Sequence, residues 1–299
     1  MIRSCRAAVL LICLVGCDMG PFDISNPSRP NLEESQPSTV ASDPAGGRLG
    51  ARPGDPTQPP AQPGLHQLGF GTGRDGLLYV PAAYRPDIPA PLVVLLHGAG
   101  GDARGGIDIL LGLADEAGTL LLAPDSRDRT WDVIVSRFGP DVSFLDRALT
   151  SVFERYRVDP RRIAVGGFSD GASYALSIGL TNGDLFGHVL AFSPGFTAPG
   201  DLVGEPKIYI SHGTDDRVLP ISRTSRRIVP MLEREGYDVL YEEFSGGHVV
   251  PPGLVRRHDM TPGKLLVEDV VAFALQHGHD AAAGAADGKN PVVGSVRDV

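Results

Sequence analysis

The chain has 299 residues, 42% hydrophobic and 21% charged, the proportions of a soluble globular protein large enough to bury a core. Acids outnumber bases 36 to 27, a formal net charge of −9, which excludes the basic footprint that nonspecific nucleic-acid binding requires. The three cysteines, Cys5, Cys13 and Cys17, all lie at the N-terminus, so neither a disulfide scaffold nor a cysteine-rich metal site is expected in the body of the chain.

In chain order, Arg3 and Arg6 precede an uncharged apolar run at 7–16. About ten residues are too few to span a bilayer but suit the core of an export signal. The run ends Leu14-Val15-Gly16-Cys17, which resembles a bacterial lipobox. That resemblance implies removal of residues 1–16 and a lipid on Cys17, hence an exported protein held to a membrane at its N-terminus. A plain secretory signal with an incidental Cys17 is the alternative. Loss of 1–16 removes two arginines and no acid, taking the charge to −11. Residues 18–64 carry ten prolines and six glycines with little hydrophobic periodicity. Residues 17–65 therefore read as a lipidated cysteine followed by a disordered tether.

A folded body is expected over 66–278. Apolar runs predict strands at 92–96, 119–123, 162–166, 188–192, 207–211 and 239–244. Helical patterns fall around 107–117, 142–156, 172–180, 222–235 and 264–276. The clearest is Val142, Leu145, Leu149, Val152 and Tyr156, one face of an amphipathic helix. Strands alternating with helices predict an α/β fold, a mainly parallel sheet flanked by helices. The short connection between Pro194 and Pro206 argues against a large lid domain. Residues 279–299 are small and polar and read as a disordered tail.

Four turns at strand ends carry chemistry, where doubly wound folds place their ligands. Gly167-Phe168-Ser169-Asp170-Gly171 stands between a strand and a helix, the context of a nucleophile elbow. Leu96-His97-Gly98-Ala99-Gly100-Gly101-Asp102 follows the first buried strand. Its Ala99 amide and that of Asp170 are placed to form an oxyanion hole. The spacing of a dinucleotide fingerprint is absent there and no phosphate-loop lysine follows. His97 reads as structural. At His212-Gly213-Thr214-Asp215-Asp216 two adjacent aspartates compete to orient an imidazole, and only one can serve. His248, after Ser245-Gly246-Gly247, is placed as the general base. His66, His188, His258, His277 and His279 read as surface or packing residues.

These four segments, with Ala191-Phe192-Ser193-Pro194-Gly195-Phe196, resemble the α/β-hydrolase superfamily over about 76–277. More closely they are similar to its phospholipase/carboxylesterase group, which includes acyl-protein thioesterases. The resemblance implies Ser169 as nucleophile, His248 as base and Asp216 rather than Asp215 as the acid. It implies cleavage of a small-molecule or lipid carboxylic ester through an acyl-serine, with no metal or organic cofactor. Thioester, polymer or peptide cleavage on the same triad is the alternative, as is an inactive membrane-tethered binding lipoprotein. The 127–131 loop resembles the Trp-containing loop of secreted polyhydroxyalkanoate-depolymerase and feruloyl-esterase relatives. Trp131 is expected either to wall the substrate site or to pack under the loop.

Overall fold

The computed structural model describes residues 41–71 and 73–250. The expected signal, Cys17, the 264–276 helix and the 279–299 tail lie outside the described residues. Strands β1 (Gly64–Gln67) and β2 (Gly76–Val80) enter first, followed by β3 (Ala90–Leu96). Two short helices, α1 (Ala103–Ile107) and α2 (Ala114–Ala117), lead to β4 (Leu120–Pro124). Next come α3 (Asp132–Val135), α4 (Pro140–Arg155), β5 (Val158–Phe168), α5 (Asp170–Thr181) and β6 (His188–Phe192). Then β7 (Lys207–Gly213), α6 (Ser225–Arg234) and β8 (Val239–Phe244) follow.

The eight strands form one sheet in the order β1-β2-β4-β3-β5-β6-β7-β8. From β4 through β8 every pairing is parallel; β1 and β2 add an antiparallel edge. This is the expected α/β architecture, and all six expected strands are present. Alternation along β3 builds two cores. Leu92, Val94 and Leu96 face α4, α5 and α6, whereas Val93 and Leu95 face α1 and α2. Every residue of β3, β4 and β6 is buried, which is why those strands read as continuous apolar runs.

Two expectations need correction. The helix expected over 107–117 is broken into α1, a 3-10 turn at 111–113, and α2. Gly105, Gly106 and Gly112 weaken helix through this stretch, and Gly118 ends it at a left-handed φ of 60°. The second concerns the tether, whose expected end at residue 65 is too late. Leu49 is fully buried in the core, and the Leu49 amide donates to Asn182 Oδ1 at 2.9 Å. Asn182 in turn donates to the carbonyls of Gly47 and Ile178. Arg48 forks onto Asp184 with two 2.9 Å bonds, and Arg52 joins the same carboxylate at 2.6 Å. Burial alone would raise the Asp184 carboxyl; the two guanidiniums outweigh it and hold it at about 2. Proline and glycine thus exclude helix from this segment without excluding order, because its amides and carbonyls find partners just past α5 at Asn182 and on α4 at Asp146.

Candidate active site

Between β5 and α5 the chain reverses within a single residue. Ser169 sits at φ 58° and ψ −118°, a conformation that costs a non-glycine residue about 1–3 kcal/mol. The turn is that tight because α5 begins against the end of β3. A Cβ at Gly167 would stand 2.6 Å from the Leu96 carbonyl oxygen, and one at Gly171 would run into Leu96 O and His97 O. Ser169 is fixed by its amide, which donates to Phe192 O at 2.9 Å on the neighbouring strand. Further along α5, the hydroxyls of Ser173, Ser177 and Thr181 donate one turn back and accept from the amides of Gly195, Ala198 and Gly200. That seam pins the 195–200 loop to the helix that carries the serine.

The three side chains predicted from separate strand ends meet. Ser169 Oγ lies 2.9 Å from His248 Nε2, and His248 Nδ1 lies 2.6 Å from Asp216 Oδ2. Asp216 is buried, while Asp215 is exposed and turned out of the site. The other Asp216 oxygen accepts from the amides of Val218 and Leu219, both at 2.8 Å. Burial would raise the Asp216 carboxyl, but the bonds from His248, Leu219 and Val218 prevail and hold it below the ordinary range. An ionised Asp216 keeps the proton on His248 Nδ1 and leaves Nε2 free to accept from the serine. The ring of Phe168, 4.7 Å from that of His248, flanks the imidazole.

His212, which motif reading left without a role, braces the acid. Its Nε2–H points to Leu219 O at 2.8 Å and Asp216 Oδ2 at 3.1 Å, and Ser225 Oγ donates to Nδ1 at 2.7 Å. Burial lowers the His212 pKa, so the ring stays neutral beside the carboxylate it orients.

A Cβ at Gly98 would stand 3.5 Å from the Ser169 Cβ, so the turn carrying Ala99 lies directly against Ser169. The Asp170 amide opens α5 and has no carbonyl one turn back. Among the described residues neither amide donates to another acceptor. Both are thus free donors beside Ser169, as an oxyanion hole requires. Two contacts hold the turn, and a third holds the start of α5. Gly100 N donates to Arg129 O at 2.6 Å, Arg74 Nη2 donates to Gly101 O at 2.7 Å, and Thr130 Oγ1 donates to Asp170 Oδ2 at 2.6 Å. His97 is structural, as expected. Its Nδ1–H donates to Gly98 O at 2.7 Å, and its Nε2 accepts from Ser126 N at 3.0 Å.

Trp131 is the packed residue and not the substrate wall. It is 1% exposed, stacks on Tyr174 with ring centroids 5.0 Å apart, and donates through Nε1 to His97 O at 2.9 Å. The Asp141 carboxylate ties the loop before it to α4 by accepting from the amides of Arg127 and Asp132. Arg74 and Thr130 had no motif to reveal them, since each acts from a loop remote in sequence from its partner.

Comparison with known proteins agrees with this fold. The phospholipase/carboxylesterase family profile matches residues 143–251, from α4 through His248. Feruloyl esterase C of Emericella nidulans is 28% identical over 177 residues, covering 56% of this chain and 63% of that protein. Acyl-protein thioesterase 1 of Gibberella zeae is 30% identical over 103 residues, 31% of this chain and 43% of that one. The chain thus spans less than two thirds of the length of either relative. The crystal structure of esterase PE8 superimposes with a TM-score of 0.50 at 24% identity, over 60% of this chain and 94% of that one. A thermostable esterase does so with a TM-score of 0.50 at 22% identity, over 61% and 54%. The fold is that of the α/β-hydrolase superfamily.

Replacing Trp131 by Phe removes the bond to the buried His97 carbonyl, and is expected to cost about 1–3 kcal/mol in urea denaturation. KM for small esters should not change. A raised KM at unaltered stability would return Trp131 to the substrate site.

Proposed function

We propose that the chain is a serine esterase that cleaves carboxylic esters of small molecules or lipids through an acyl-serine intermediate. The observation that carries this reading is the continuous Asp216–His248–Ser169 contact beside two free amides. His248 Nε2 takes the Ser169 proton as Oγ attacks the ester carbonyl, and the amides of Ala99 and Asp170 receive the oxyanion. His248 then protonates the leaving alcohol, and water releases the acid by the same steps in reverse roles. Val218 and Val249, 66% and 43% exposed, flank Asp216 and His248 and give the rim an apolar surface for an acyl group. Likeness to an acyl-protein thioesterase supports thioester cleavage on the same triad as a second reading.

A fluorophosphonate probe reports an activated serine whatever the natural substrate. The unsubstituted protein is expected to label and Ser169→Ala to remain unlabelled; no labelling would leave a catalytically inactive binding protein, and equal labelling of both would place the reactive group elsewhere than Ser169.

We further propose, from Leu14-Val15-Gly16-Cys17 and the charged and apolar segments before it, that the protein is exported and lipid-anchored at Cys17. Cys17→Ser should move the protein from the membrane fraction to the soluble fraction. Unchanged membrane retention would contradict the anchor.

A further inference from the structure

The carboxyl edge of the sheet carries a cavity apart from the triad. It lies between the chain entering β2, the loop after β4 and the first half of α4. It holds about 330 Å³ and is lined by Phe70, Arg74, Arg127, Phe144 and Arg147, with no carboxylate among the described residues of its wall. Two of its guanidiniums rest on rings. Arg127 Cζ stands 3.5 Å from the centre of Phe144 and Arg147 Cζ 4.1 Å from that of Phe70, and the two rings meet edge to face at 5.7 Å.

The neighbouring acids are engaged with main-chain amides. Asp75 accepts from Gly69 and Phe70, Asp125 from Ala103 and Asp75, and Asp141 from Arg127 and Asp132. Among the described residues the Arg127 guanidinium donates only to the carbonyls of Arg74, Asp75 and Asp125, and its Nε is buried without a partner. Arg147 is exposed on α4 and pairs with no carboxylate among the described residues. Exposed and stacked on the Phe70 ring, the Arg147 guanidinium keeps its in-plane N–H donors free for a carboxylate or phosphate, while Arg127 and Arg74, held by carbonyls, add positive charge to the wall.

Arg74 joins this cavity to the catalytic turn. Its Nη2 donates to Gly101 O and lies 3.2 Å from His97 Nε2, on either side of the Ala99 amide in sequence. β4 and β5 are two places apart in the sheet, so about 10 Å separates this edge from the strand that ends at Ser169.

We propose that the cavity is an accessory anion site for the carboxylate or phosphate group of a small molecule. That group is either a free anion or the far end of the ester attacked at Ser169; only the second source rests on the esterase reading.

The test begins with Ser169→Ala, in which catalysis plays no part. Calorimetric titration with benzoate and with inorganic phosphate at fixed ionic strength is expected to show saturable binding. Adding Arg147→Gln should weaken it about tenfold or more, the loss of one charge-assisted pair, at unchanged melting temperature. With Ser169 intact, Arg147→Gln should raise KM for mono-p-nitrophenyl glutarate but not for p-nitrophenyl acetate if the anion is part of the substrate. Either effect supports the site, and which one appears identifies the source. The absence of both effects overturns it. Failure of the unsubstituted protein to turn over any ester counts against the esterase reading alone, because the titration does not depend on turnover.

Discussion

The first turn of α5 stands in backbone contact with the end of β3, and the rest of the site follows from that closeness. Gly167 and Gly171 leave out the side chains that would collide with the Leu96 and His97 carbonyls. The residue between them is lifted out of the sheet at positive φ, and the strain is offset by a helix buried along its whole inner length. The same approach brings the Ala99 turn against the Ser169 Cβ and leaves the Asp170 amide uncommitted. One packing constraint therefore positions the Ser169 hydroxyl and the two free amides together.

The acid–base side is set by burial and fixed protons. Asp216 is a buried carboxylate with amide, imidazole and second-imidazole donors around it. His212 and His97 are both held neutral by burial, each with a defined tautomer set by a carbonyl it donates to. Ser169 Oγ is left to His248 Nε2, 2.9 Å away. Each buried imidazole fixes a loop, His212 the one that carries the acid and His97 the one that carries Ala99.

Much of this was legible in sequence wherever the determinant is local. The glycines around Ser169 and the strand runs at 92–96 and 188–192 state their own geometry. Asp215 and Asp216 could not be separated by local chemistry, because the choice depends on which carboxylate meets Val218, Leu219 and His248. The docked segment around Arg48 was misread for a similar reason. Its composition is that of a linker, and its partners, Asn182 and Asp184, lie more than 130 residues away. Trp131 allowed two readings until its Nε1–H was seen to reach His97 O rather than solvent.

The account stands on Asp216 as the residue that orients His248, and a rate comparison between the two adjacent aspartates tests this directly. With p-nitrophenyl acetate, Asp216→Asn is predicted to lower kcat by on the order of 10⁴-fold while Asp215→Asn remains close to the unsubstituted protein. Equal losses in both variants, or a larger loss at Asp215, would contradict it.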